Sequence, residues 1–315
     1  MLTGFMHVVS DLGSAGFYIP LLVVLYWCFD PRLAARATVI LSLGSVANTV
    51  LKLVFHAPRP YWTDPGVTGR ESKVSFGMPS GHAQNAVPVW GFFATRTRRR
   101  ILWAAAAAAI VLIGVSRVYL GVHSPGQVLA GWAAGLVLLV AALGLEPMVV
   151  PWWTRRPLAA QMAMALAVSL IGVGVAWTAV DSLSGWHWPD VWARAIERAG
   201  GSTRPITLNE VSAACGGLCG VLAGVSLLSS RGWFDPGGAP WRRMARLPVG
   251  IAGAVVLYLP EHYGGSHPVQ AFAVHTLIGL WATAGAPEVF VRLGLARRPT
   301  RPVTRPGGEP AELRQ

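Results

Sequence analysis

ILWAAAAAAIVLIGVSRVYLGVHSPGQVLAGWAAGLVLLVAALGLEPMVV, residues 101–150, decides the fold. Its two apolar runs, about 101–118 and 125–149, each approach the roughly 20 residues that cross a bilayer core. Between their facing ends lie Ser116, Arg117 and His123. Working outward, similar runs recur at about 13–29, 35–56, 80–96, 158–180, 207–229, 244–260 and 267–291. The run at 80–96 is the weakest, with His82, Gln84 and Asn85 near its start. One such run could be a buried helix of a soluble protein; nine in series argue against that. Charged residues make up 13% of the chain, where a soluble domain carries about a quarter. The expected fold is all-α: a polytopic membrane protein of about nine transmembrane helices.

Arginine placement orients the bundle. With the N-terminus outside, the inner segments are about 29–36, 94–100, 149–157, 229–246 and 292–315. They hold 18 of the 26 Lys and Arg residues, as the positive-inside rule requires. The TRTRRR run at Thr95–Arg100 therefore reads as a cytoplasmic anchor, not a nucleic-acid patch. The net charge of +12 suits membrane lipids as partners, and no nucleic acid. The N-terminus and the polar cluster fall on the extracytoplasmic side, the C-terminus on the cytoplasmic side. No charged n-region or cleavage site is evident, so no removable signal peptide is expected. The excess of Arg over Lys, with frequent Ala and Gly, points to a GC-rich bacterial genome and a plasma membrane. Cys28, Cys215 and Cys219 are dispersed and odd in number, against a disulfide framework or zinc site.

Three stretches bring charge to this apolar chain: Lys52–Pro60 (KLVFHAPRP), Pro79–His82 (PSGH) and Ser116–His123 (SRVYLGVH). The topology puts all of them at one face. Lys52 or Arg117 alone would pass for a snorkelling side chain, but charges within a membrane usually face a polar cavity. Pro79 and Ser80 read as a helix start, with Ser80 available to cap. Amides at such a start favour an anion, and Gly81 admits close backbone approach. Lys52, Arg59 and Arg117 can neutralise phosphoryl oxygens. One histidine can attack phosphorus while the other supplies a proton. No clustered Asp/His set suggests a metal, and no cofactor is implied.

At these residues the chain resembles the type 2 phosphatidic acid phosphatase family, whose pattern is K-x6-RP, PSGH and SR-x5-H. Lys52-x6-Arg59-Pro60, Pro79-Ser80-Gly81-His82 and Ser116-Arg117-x5-His123 match it in order. The resemblance covers about residues 35–149 and implies a six-helix phosphatase-type core. By it, His123 is the nucleophile and forms a phosphohistidine. His82 is the general acid, and Lys52, Arg59, Ser80, the Gly81 amide and Arg117 bind the phosphoryl group. The family usually has Asp four residues after the nucleophile; here Gln127 stands there. Its amide oxygen can accept a ring hydrogen bond but cannot stabilise an imidazolium as a carboxylate does. In this the chain resembles the glucose-6-phosphatase branch.

The domain expectation is a membrane phosphatase core at 1–180, additional transmembrane helices at 181–291 and a basic disordered cytosolic tail at 292–315. The expected activity is metal-independent phosphomonoesterase or diphosphatase action on a lipid phosphate at the outer face. Alternatives are hydrolysis of a soluble sugar phosphate, phosphotransfer to an acceptor alcohol and, remotely, non-enzymatic transport. The oligomeric state is open. Asp64, Arg70, Glu71 and Lys73 read as solvated loop residues or a gate. Gln84 and Asn85 read as cavity lining or helix–helix bonds, and His56 as structural. Trp186, His187 and Trp188 precede a short amphipathic helix near Asp190–Arg198. Glu261, His262, Tyr263 and His267 form an outer rim or a head-group site.

Overall fold

The computed structural model describes residues 1–187, 189–201, 206–265 and 267–299. Among these, every regular element is helical. A short α1 (Leu2–Asp11) meets α2 (Ala15–Cys28) at a 48° bend. Ser14 caps α2 by accepting from the Phe17 N–H. Helix α3 (Pro31–Phe55) starts on Asp30, whose carboxylate accepts from the Arg32 and Leu33 N–H groups, with Pro31 preset at its first position. It stops at His56, which takes the left-handed conformation with φ 34°. One turn, α4 (Pro60–Thr63), follows.

Helix α5 (Gly81–Thr95) is the centre of the first half and packs against α3, α6 (Arg100–Tyr119) and α7 (Pro125–Thr154). Small residues on α7 let it approach. A Cβ on Gly131 would come within 2.7 Å of the Ser80 carbonyl oxygen, and one on Gly135 would strike that of Gln84. After α8 (Leu158–Asp181) comes α9 (Asp190–Arg198), the expected amphipathic helix, lying against α4. Helix α10 (Asn209–Ser230) packs on α3, α8 and α12 (Pro268–Leu280). Gly216, Gly220 and Gly224 recur every four residues on α10, and added Cβ atoms would strike Phe272, Thr276 and Thr283. Close backbone approach of this kind is how helices associate in lipid. Helix α11 (Pro240–Gly264) precedes α12, and a π-helical turn at Trp281–Gly285 joins α12 to α13 (Ala286–Arg292).

All nine apolar runs are helical. Among the described residues, seven spans are long and apolar enough to cross a membrane, or eight if the bent α1–α2 pair is one span. Helix α5, at 15 residues, is shorter than the roughly 20 residues of an ordinary span. Its start is given over to polar residues, and protein surrounds it: Ala83, Ala86, Val89 and Phe92 are buried. Elsewhere large apolar side chains face outward, among them Val137 and Val140 on α7, Ile171 on α8 and Val256 on α11. That is the inverse of a soluble surface and the mark of an integral membrane protein.

The expected tail is packed over its first residues. Ala296 is buried, the Asp235 N–H donates to the Arg297 carbonyl at 2.8 Å, and Arg298 binds the Trp233 carbonyl and Glu288. Residues 300–315 of that tail lie outside the described residues. Cys28, Cys215 and Cys219 are buried free thiols.

Candidate active site

The ends of α3, α5, α6 and α7 converge. Lys52 is on the last turn of α3, Arg59 precedes α4, Ser80 and Gly81 begin α5, and Arg117 is on the last turn of α6. His123 immediately precedes Ser124, the N-cap of α7. The loop returning from α4 to α5 is pinned by the Gly77 N–H on the Ala57 carbonyl at 2.8 Å and the Ser80 N–H on the Gln127 carbonyl at 3.0 Å.

Gln127 fixes His123. Its Nε2 donates to the Pro58 carbonyl at 2.7 Å, which turns Oε1 toward the Ser124 N–H at 3.2 Å and His123 Nδ1 at 3.1 Å. Nδ1 must then carry the proton, leaving Nε2 with the lone pair. Ser124 Oγ accepts from the Gln127 N–H at 3.3 Å, completing a capping box. Gln127 thus starts α7 and orients the ring with one side chain. Gly77 makes room for it: a Cβ there would lie 2.5 Å from Gln127 Nε2.

Arg59 grips the same ring from the other side. Its Nη1 donates to His123 Nε2 at 3.1 Å and the Val122 carbonyl at 3.0 Å. Its Nε and Nη2 bind the Ser75 carbonyl, Ser75 Oγ and the Phe76 carbonyl. Lys52 Nζ also donates to Ser75 Oγ, at 2.9 Å. Burial and the charges of Arg59, Arg117 and Lys52 push the His123 pKa well below the usual histidine range, against the opposing effect of its hydrogen bond to Gln127. The neutral, nucleophilic ring is therefore favoured.

Arg117 is 1% exposed. Its Nη1 and Nη2 donate to Glu71 Oε1 and Oε2 at 3.1 and 2.9 Å, and Nη1 also reaches Ser10 Oγ. Its Nε is buried without a partner, as is Ser80 Oγ. Such orphans are rare unless a ligand or water meets them. The expected Ser80 cap does not form: its carbonyl takes the Gln84 N–H as α5 begins, and the hydroxyl is left over. His82 lies in electrostatic reach of Arg117, Lys73, Lys52 and Arg59.

Around this centre the other expectations sort themselves. Glu71 and Lys73 join the site, their side chains 3.4 Å apart. Asp64 only caps the Gly66 N–H, and Arg70 binds the Tyr119 carbonyl and ring. Gln84 is a helix–helix bond, accepting from Asn48 Nδ2 at 2.9 Å and donating to the Gly44 carbonyl at 2.8 Å. His56 sits edge-on to Phe76 and Trp186. Trp186 joins Trp62, Phe76 and Trp192 in an aromatic cluster whose Trp62 ring lies beside Arg59, His187 is exposed, and Trp188 lies outside the described residues. Glu261 pairs with His275 at 3.3 Å, and His267 caps α12; neither reaches the central cluster. Sequence reasoning missed Ser75, Asn48 and Ser10. It also missed the Ser124-x-x-Gln127 capping signature, which was there to be read.

A cluster of buried cations around an oriented histidine, at the helix ends of an integral membrane bundle, fits one class: a membrane phosphatase. The comparisons agree. The PAP2 superfamily model matches residues 33–151, and the model for the PAP2 superfamily phosphatase transmembrane extension matches residues 212–298. Phosphatidylglycerophosphatase B of Bacillus subtilis is 32% identical over 44% of this chain and 72% of its own length. Undecaprenyl-diphosphatase of Sulfolobus acidocaldarius is 30% identical over 46% of this chain and 71% of its own. Lipid phosphate phosphatase delta of Arabidopsis thaliana is 28% identical over 44% of this chain, but the match spans only 37% of that protein. The chain belongs to the PAP2 superfamily.

Proposed function

We propose that the chain hydrolyses a lipid phosphate or diphosphate at the extracytoplasmic face of a bacterial plasma membrane, through a phosphohistidine on His123. The orientation of that ring carries the reading: Gln127 holds Nδ1–H, and Nε2 faces Arg59. Phosphoryl oxygens are taken up by Lys52, Arg59, the Gly81 amide and the two orphan donors, Ser80 Oγ and Arg117 Nε. As they bind, the Arg59 hydrogen bond passes from His123 Nε2 to a phosphoryl oxygen and frees the lone pair. Nε2 then attacks phosphorus, the bond to the leaving oxygen breaks, and His82, protonated once the phosphoryl charge offsets the surrounding cations, gives that oxygen its proton. In the second step neutral His82 takes a proton from water. The resulting hydroxide oxygen attacks phosphorus, the P–N bond breaks, and its electron pair returns to Nε2.

The outer location rests on the arginine distribution, which assigns the site end of the bundle to the outside. The lipid substrate is supported by the names of the relatives, which act on phospholipid, polyprenyl or other lipid phosphates. Gln127 in place of Asp supports a second reading, a soluble sugar phosphate. A panel of long-chain lipid phosphates and hexose phosphates, assayed on purified protein with EDTA present, separates the two. The lipid should be preferred and a phosphoenzyme trapped on His123; His123→Ala should abolish both turnover and trapping. Hexose phosphate preference would overturn the lipid substrate, and turnover by His123→Ala would overturn the mechanism.

A further inference from the structure

The Arg117 guanidinium is not free to greet a substrate with its fork. Both terminal nitrogens are tied off, on the two oxygens of Glu71 and on Ser10 Oγ. Three of its five N–H groups are used, which leaves Nε, buried and unpartnered, and the second N–H of Nη2. Glu71 is itself held from two further sides, by Lys73 Nζ and by His7 Nδ1, each at 3.4 Å. Burial works to raise the Glu71 pKa, but Arg117 and Lys73 outweigh it and hold it below the usual carboxylate range. None of Glu71, Ser10 and His7 belongs to the three charged stretches, and Ser10 and His7 precede the matched residues 33–151. Helix α1 carries both, packs along α6, and leads into Gly13, where a Cβ would lie 3.3 Å from that of His82.

We propose that Glu71 and Ser10 are positioning residues that clamp the terminal fork of Arg117, so that Nε, with the remaining Nη2 N–H, is what Arg117 offers to the phosphoryl group. Helix α1 is then part of the active site, although the family match begins after it. The inference rests on the phosphoryl reading of the site. A rival geometry has Glu71 as a plug, its carboxylate standing in for phosphate and leaving when substrate arrives. The two differ in sign. A positioning carboxylate is needed in the transition state, so losing it lowers kcat; a plug competes with phosphate, so losing it raises affinity.

The test uses the full chain in detergent, a water-soluble phosphomonoester, and orthovanadate as a phosphoryl probe. Glu71→Gln should lower kcat by about 10²-fold, the order expected when a reacting group is misplaced by about 1 Å, with KM nearly unchanged. Glu71→Asp should recover part of the loss, and Ser10→Ala should cost only a few-fold. In an Arg117→Lys background, Glu71→Gln should add little, because the clamp has nothing left to aim. Tighter vanadate inhibition with unchanged or higher kcat in Glu71→Gln would overturn the proposal in favour of a plug. So would a full additional loss in the Arg117→Lys background. If His123→Ala remains active, the phosphoryl reading itself has failed; if His123→Ala is dead and Glu71→Gln turns over like wild type, only the clamp has failed.

Discussion

Two arginines, one at each end of the bundle, are buried to the same degree and do opposite things. Arg246, near the start of α11, is fully buried, and its Nε, Nη1 and Nη2 donate to the carbonyls of Leu295, Trp27, Pro236 and Gly237 at 2.6–3.1 Å. It stitches the α2–α3 corner, the α10–α11 connection and the segment after α13 together at the end of the bundle away from the site. Arg117, at the site end, keeps a buried donor without a partner. Burying a charge is expensive unless its hydrogen bonds are met. Where all are met by carbonyls, the residue is a structural bolt. Where one is left open inside a cationic cluster, the fold has tolerated a cost that a ligand would relieve.

The sharpest way to break this contrast is to remove each guanidinium. Arg117→Met should lower kcat/KM by about 10³-fold, the range for losing a donor that stabilises developing charge, while the detergent-solubilised protein still melts cooperatively. Arg246→Met should do the reverse. Several carbonyls lose their donor at once, at about 1–3 kcal/mol for each left unsatisfied, so stability should fall by roughly 3 kcal/mol or more. Activity per folded molecule should hold. Thermal melts and active-site titration read the two separately; a dead but stable Arg246→Met would erase the distinction.

A smaller change tests the site end without touching a charge. Gly77 lies against the Gln127 amide, and a Cβ would sit 2.5 Å from Nε2 and 2.8 Å from Oε1. Gly77→Ala should therefore displace Gln127 and loosen His123, lowering kcat by roughly 30-fold through misorientation. The corresponding change on the lipid-bathed α8, Gly174→Ala, meets open space and should leave kcat within about twofold.

What the sequence made legible follows from periodicity and charge. Helices were readable because apolar runs of this length have one use. Lys52, Arg59, Ser80, His82, Arg117 and His123 were readable because fixed spacings place them at helix ends. Glu71 and Ser10 were not. They sit 46 and 107 residues from Arg117, and a loop carboxylate looks the same in sequence whether it faces water or a guanidinium. The short α5 was hard for a different reason: its polar start belongs to the site, so hydropathy falls where packing is tightest.

The mildest change probes the histidine itself. The His123 pKa is pushed well below the usual range by burial and by Arg59, Arg117 and Lys52. The free enzyme therefore keeps a neutral nucleophile as pH falls through about 6.5, the ordinary histidine value. Corrected for the substrate's own second phosphate ionisation near pH 6, the acid limb of kcat/KM should fall below that value, since kcat/KM reports groups of the free enzyme. Gln127→Asp places a carboxylate beside Nδ1 and favours the imidazolium, so the limb should move to higher pH. The same change removes the donor to the Pro58 carbonyl, at a cost of about 1 kcal/mol in stability. These effects oppose one another near neutral pH, where the nucleophile is better oriented but more easily protonated, and turnover should stay within about tenfold of wild type. An unmoved acid limb would mean that Gln127 does not sense the ring it touches. Complete loss of turnover in a folded variant would mean that the neutral amide does more than orient it.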